Sequence, residues 1–221
     1  MTVHAPAASR PGFRDELHEQ RWDDHRYYHQ SRVNQTLHLI SALTFLCCYV
    51  LVFFDPALAA LLGWLVAMVA RQSGHFFFEP KSYDRINRAT HQHKEAIKVG
   101  YNLRRKVLLH AAWALSPLLL IWSPTVFGLV AEPQGFLGWA RGVGMIWLLI
   151  GVGAVLLRTV YLSATRHWQT GVVWMTKILT DPLHDVRLYW KAPLALLRGE
   201  WLDPMDDVTG GHGSSRAAPG A

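Results

Sequence analysis

Histidine is the residue type that could do the most chemistry in this chain, and its placement is uneven. The 221 residues include 12 histidines. Imidazole binds iron, zinc and copper, and it exchanges protons near neutral pH. His38 precedes and His75 follows a turn at Asp55 and Pro56, each at nearly the same distance along the chain. If both flanking segments are helices, these two imidazoles lie at one level of an antiparallel pair.

Polar side chains accompany both histidines at helical spacing. Arg71, His75 and Glu79 are each four residues apart, which places them on one stripe of a helix. Asn34 lies four residues before His38, where it can cap the helix or orient the imidazole. We therefore predict that Arg71 and Glu79 take part in catalysis and that Asn34 supports a histidine.

Further histidines could complete a metal site at this level. His29 and His38 would point to opposite faces of one continuous helix, so the chain must bend between them if both bind one ion. His91 and His93 cannot share a helical face, and His91 is favoured because Glu95 lies one turn further on. The predicted metal ligands are His29, His38, His75 and His91, with Asn34 and Glu95 as outer partners and with His25, His93, His110 and His184 as alternatives.

The segments that must position these residues are long and apolar. Hydrophobic residues make up 51% of the chain and charged residues 17%, and an apolar helix of about 20 residues spans a bilayer core. The sequence therefore predicts an all-α polytopic membrane protein. Its four transmembrane helices are expected at residues 36–54, 57–78, 107–130 and 140–164.

These spans belong to one helical membrane domain, predicted over residues 13–200. A polar helix at 13–35 precedes the first span, and the tryptophan-rich, basic segment 168–200 after the fourth suits the membrane interface. Residues 1–12 and 201–221 are rich in Ala, Pro, Gly and Ser, which predicts disordered tails.

The distribution of charge predicts the orientation in the membrane. Residues 80–106 carry eight lysines and arginines, whereas 123–140 carry none, so the former loop is expected in the cytoplasm together with both termini. Short loops and tails rich in Ala and Arg suggest a bacterial inner membrane. Membrane orientation also accounts for the net charge of +6, and no aromatic-interleaved basic motif suggests a nucleic-acid partner.

Several of these residues occur together in a known family. Tyr28-His29, Asn34 and His38 form the pattern Y-H-x4-N-x3-H, and Gly63-Trp64 and Gly74-His75 through Phe78-Glu79 follow as GW and GHxxFE. Over residues 27–79 the chain resembles the membrane-bound 2-hydroxy fatty acid dioxygenases. The resemblance implies a non-haem Fe2+ centre that uses O2 to shorten a long-chain 2-hydroxy fatty acid by one carbon. It places metal ligands at His29, His38 and His75, while a further family histidine falls on Gln30 and must be replaced from elsewhere.

Three functions stay open at this point. The leading one is an iron oxygenase in which Arg71 or the basic 80–106 loop receives the carboxylate of a lipid-like substrate and the acyl chain lies between helices. The second is a b-type haem protein, because two histidines at matched depth could be axial ligands. The third is a non-enzymatic lipid-binding membrane protein whose histidines tune binding.

Overall fold

The structure is a computed structural model that describes residues 10–79, 81–99 and 103–205. This part of the chain is helical, without a β-strand, which confirms the all-α class. Among the described residues, three helices are long and apolar enough to cross a membrane: Arg32–Leu51, Pro56–Phe78 and Gly135–Thr165. The helices are α1 (Phe13–Tyr28), α2 (Arg32–Leu51), α3 (Pro56–Phe78), α4 (His91–Ile97), α5 (Leu103–Leu115), α6 (Leu118–Trp122), α7 (Gly135–Thr165), α8 (Trp168–Tyr189) and α9 (Ala192–Leu197).

The polar helix predicted at 13–35 is divided in the structure. The first helix ends at Tyr28 and α2 begins at Arg32, capped by the Ser31 side chain, which accepts a hydrogen bond from the Asn34 backbone N–H. The first span thus begins earlier than the predicted residue 36. The predicted bend between His29 and His38 is confirmed, and it falls directly after His29.

A tight turn joins α2 to α3. The Asp55 side chain accepts a hydrogen bond from the Leu58 backbone N–H at 3.1 Å, and Pro56 is the first helical residue. Proline suits that position because its fixed φ matches the helix and its missing N–H is not needed there. The turn therefore sets α2 and α3 in the antiparallel register that the sequence predicts.

Within α3, two stretches adopt the wider π-helical winding, Gly63–Met68 and Gly74–Phe78. Such stretches are frequent at functional sites, and the second one carries His75. Gly74 also permits a close approach, since a Cβ atom on it would lie 2.0 Å from the Asn34 side-chain oxygen. A larger residue would require the buried Asn34 side chain to shift or α3 to move away from the start of α2.

The predicted span at 107–130 is not one helix. Helix α5 ends at Leu115, α6 runs only from Leu118 to Trp122, and turns follow. Pro117 explains the break, because proline lacks a backbone N–H and disfavours helical conformation in the residue before it. The predicted span at 57–78 corresponds to α3. The predicted span at 140–164 lies within α7, which is longer and begins at Gly135.

Helix α7 packs closely against α3. A Cβ atom on Gly144 would lie 2.4 Å from the Ala57 carbonyl oxygen, so a small residue is required there. Arg141 forms a two-pronged ion pair with Asp55 at 2.8 and 2.9 Å. The start of α7 and the α2–α3 turn therefore lie at the same end of the molecule, opposite to His38 and His75.

Helix α8 packs against α1, α2 and α7. Residues 201–205, which the sequence analysis assigns to the C-terminal tail, also contact the start of α2. The Arg32 backbone N–H donates to the Trp201 carbonyl at 3.0 Å, and the Asp203 backbone N–H donates to the Gln30 carbonyl at 2.8 Å. The helical domain thus extends to Met205, while the predicted tail segments 1–9 and 206–221 lie outside the described residues.

Candidate metal centre

Three of the predicted ligands meet at one point. His29 lies in the break between α1 and α2, His38 in the second turn of α2, and His75 in the second π-helical stretch of α3. Each offers one ligand atom within 4.8 Å of the other two. The ring centroids are 4.1 Å apart for His29 and His38, 4.8 Å for His38 and His75, and 5.2 Å for His29 and His75. Their predicted convergence is confirmed.

Each ring turns its Nδ1 atom toward an oxygen that can orient it. His75 Nδ1 lies 2.8 Å from Glu79 Oε2, and His29 Nδ1 lies 3.0 Å from the Tyr189 hydroxyl. His38 Nδ1 lies 3.5 Å from Asp185 Oδ2 and makes no hydrogen bond to it. Metal-binding histidines characteristically use one ring nitrogen for the ion and the other for such a partner.

The remaining nitrogen atoms have the properties of ligands. His29 and His38 are buried, and the Nε2 atoms of both are shielded from solvent without a hydrogen-bond partner. His75 is nearly buried, with 11% of its side chain exposed. A buried polar nitrogen without a partner is costly, and a metal ion shared by the three imidazoles would satisfy them. The residues present therefore fit a metal ion.

Protonation of His29 is also suited to ligation. Burial and the neighbouring His38 hold the pKa of His29 well below its usual value, although the Asp24 carboxylate acts in the opposite direction. The imidazole stays neutral, the form that binds a metal. Burial raises the pKa of the Tyr189 hydroxyl, so Tyr189 stays protonated. When Nε2 of a neutral His29 binds a metal, Nδ1 carries the hydrogen and donates it to the Tyr189 oxygen.

Two residues of this site were missed by the sequence analysis: Asp185 and Tyr189, both on α8. Their signal was present in the sequence, because Lys177, Asp181, Asp185 and Tyr189 follow one another at intervals of four residues and so form one polar stripe along the helix. All four are buried in the structure. The stripe predicts a buried polar contact but does not identify which helix it faces.

The predicted role of Arg71 as a free anion receptor needs correction. Its guanidinium lies 3.0 Å from Asp185 and 3.8 Å from Asp181, so both of its partners are carboxylates of α8. Lys177 lies between Asp24 and Asp181, and Arg21 approaches Asp181 at 3.5 Å. We call these six side chains the charge network; it joins α1, α3 and α8.

Asn34 supports the chain break beside His29, and in the described part of the chain its side chain makes no hydrogen bond to an imidazole. Its side-chain amide donates to the Tyr28 carbonyl at 2.7 Å. Gln35 has a matching role, since its amide donates to the His29 carbonyl and to Asp203, each at 2.7 Å. The asparagine thus positions His29 through the backbone. Of the two roles predicted for it, Ser31 supplies the cap of α2, and the Asn34 side chain makes no hydrogen bond to His38.

The other predicted residues lie outside the three-histidine group found in the described part of the chain. His91 and Glu95 belong to α4, which contacts the site region through Tyr28, whose hydroxyl donates to the Lys94 carbonyl at 2.5 Å. His25 shares the Tyr189 hydroxyl with His29, at 3.2 Å. His110 Nδ1 lies 2.7 Å from the Lys106 carbonyl. His93 and His184 are on α4 and α8, and neither joins the group.

A largely apolar cavity of about 560 Å³ begins at His29 and His75. Its lining continues to Val52 and Ala59, next to the α2–α3 turn. At 1.5 Å per residue, this corresponds to about 20 Å along α2. The candidate metal centre is therefore the polar end of a long apolar chamber.

No family model, curated protein or solved structure matches the chain. The resemblance to the 2-hydroxy fatty acid dioxygenases accordingly rests on the spaced residues at 27–79 alone. Function has to be argued from the chemistry of the site.

Proposed function

We propose that the protein is a membrane-bound non-haem iron oxygenase acting on a lipid-like substrate, and that its reaction is the O2-dependent α-oxidation of a long-chain 2-hydroxy fatty acid. The observation that carries this proposal is the convergence of His29, His38 and His75 at the end of a long apolar cavity. The resemblance over residues 27–79 supplies the reaction.

Three converging imidazoles favour a non-haem ion over haem. The porphyrin already supplies four nitrogen ligands, so protein ligands can reach a haem iron only from its two faces. Here His29 lies within contact distance of both His38 and His75. A haem ligated by two of these histidines would place its porphyrin plane between their rings, and the rings are too close together to leave room for it.

The identity of the metal is less closely defined by the ligands, because zinc also suits them. The three-histidine group contains no carboxylate; Glu79 and Asp185 lie behind the rings. Three histidines with open positions also suit catalytic zinc, which would make the protein a hydrolase. We favour iron because of the family resemblance, and ferrous iron would supply O2 binding and activation next to the substrate.

The residues of the chain would hold this chemistry in place. His29, His38 and His75 bind the ion, while Glu79, Tyr189 and Asp185 fix their ring orientations. The apolar cavity holds an acyl chain away from water, with its head group at the metal. Arg71 acts indirectly, by keeping Asp185 in position beside His38.

In the membrane, we propose four crossings with both termini in the cytoplasm of a bacterial cell. Besides α2, α3 and α7, the additional crossing would be formed by the two short helices α5 and α6. Leu120 of α6 packs near Ala60 and Val143 in the apolar core. Helices α1 and α8 would lie at the inner interface. Large apolar side chains exposed on α2 and α7, such as Val50 and Leu157, would face lipid.

Turnover by the purified protein tests the proposal. With ferrous iron and O2, we expect 2-hydroxyhexadecanoic acid to lose one carbon, and we expect His75→Ala to abolish this reaction. The matched control is His18→Ala, because His18 is exposed on α1. Absence of turnover in an iron-loaded wild type, or hydrolysis of ester lipids by a zinc-loaded one, would replace the oxygenase with another function.

A further inference from the structure

Four cationic side chains line the apolar cavity, and they divide into two kinds. Arg71 and Lys177 are paired with the carboxylates of the charge network. Lys98 and Lys106 line the cavity as well, yet in the part of the chain that the structure describes neither ammonium makes a hydrogen bond or ion pair. The Lys98 Nζ atom is buried without any such partner.

The carboxylates that line the cavity are paired with other cations, and the nearby Glu79 and Glu95 act on Lys106 electrostatically. Asp23 is paired with Arg26 at 2.7 Å, Asp24 with Lys177, and Asp181 with Lys177 at 2.8 Å. An unpaired buried ammonium is costly, and the carboxylate of a ligand in the cavity would offset that cost.

The two lysines stand at the metal end of the chamber. Burial raises the pKa of Glu79, the partner of His75, and the ammonium groups of Lys98 and Lys106 act against that rise. Lys98 Nζ lies 3.4 Å from the centre of the Tyr28 ring, next in sequence to His29. This cation–π contact holds the ammonium while leaving its charge and donors available for an anion.

We infer that Lys98 and Lys106 form the anion-binding site of the cavity and make the protein select amphiphiles with a free carboxylate over alcohols or esters of the same chain length. The inference rests on the proposed function for the identity of the reacting group, but the binding site requires only the cavity and the lysines. The sequence suggested Arg71 or the basic 80–106 loop for this role, and the inference assigns it to two lysines of that loop.

Equilibrium binding of hexadecanoic acid and of hexadecanol to the full-length protein in nanodiscs tests this inference. In the double variant Lys98→Met/Lys106→Met, we expect affinity for the acid to fall about tenfold or more, as loss of a charged hydrogen bond predicts, while affinity for the alcohol hardly changes. Lys81→Met is the control, because Lys81 is exposed in the same basic region. Lys98→Arg should keep most of the acid affinity.

The metal content of the same samples separates this inference from the proposed function. Selective loss of acid binding supports the lysine site whether or not iron is present. Equal loss of acid and alcohol affinity, or no loss in the double variant, would overturn it. Displacement of the acid by phosphatidylglycerol at equal concentration would overturn it too, since the lysines would then hold a bilayer phospholipid.

Discussion

Two polar clusters lie side by side in this helical protein, and they differ in how their members are paired. In the charge network, Arg71 and Lys177 each contact two carboxylates. In the three-histidine group, the Nε2 atoms of His29 and His38 are buried without a hydrogen-bond partner. The comparison suggests that the first cluster holds helices together and that the second awaits a ligand.

Breaking the charge network should have the largest effect on folding. In Lys177→Met, Asp24 and Asp181 lose a shared buried partner, and removal of one member of a buried ion pair typically costs about 3 to 5 kcal/mol. We expect a large fall in the free energy of unfolding, measured in detergent by denaturant titration. Lys191→Met is the control because Lys191 is exposed; equal stability of the two variants would remove the structural role of the network.

The close approach of α2 and α3 gives the next largest expected effect. In Gly74→Ala, the new Cβ atom would collide with the Asn34 side chain, and overpacking costs about 1 to 3 kcal/mol. Because the Asn34 side chain holds the chain break beside His29, its displacement should weaken metal binding as well. Gly153→Ala places its Cβ atom in open space and should change neither property, so a matching loss in that variant would refute the explanation.

The part of the site formed by α2, α3 and the break before α2 could be predicted from the sequence, because it depends on the spacing of residues that are close along the chain. Register across the Asp55–Pro56 turn, the four-residue spacing of His75 and Glu79, and the required bend after His29 all follow from helix geometry. Each of these expectations agrees with the structure.

The contribution of α8 could not be predicted in the same way. Tyr189 and Asp185 reach the histidines from a helix more than a hundred residues away, and no spacing rule links such distant segments. The assignment of Arg71 as anion receptor failed for this reason, since its carboxylate partners are on α8. Pro117 did signal the break in the predicted span at 107–130, but the apolar composition around it outweighed that signal.

A smaller effect is expected where α8 orients a histidine. In Tyr189→Phe, His29 Nδ1 loses its hydroxyl partner while the packing of the ring is kept. Such outer partners typically contribute about 10 to 100 fold in metal affinity, so we expect the metal affinity of this variant to fall by a factor in this range. Competition with a chelator measures that affinity. Tyr161→Phe, on the exposed side of α7, should bind metal as the wild type does. An unchanged affinity in Tyr189→Phe would exclude α8 from the metal centre.

The metal content of the purified full-length protein tests the central claim most directly. We expect stoichiometric iron in the wild type and in His18→Ala, and its loss in both His38→Ala and His75→Ala, with all four proteins inserted in the membrane. Full iron occupancy in His38→Ala and His75→Ala would contradict the proposed site, and a wild type that purifies without any transition metal would contradict the metal centre itself.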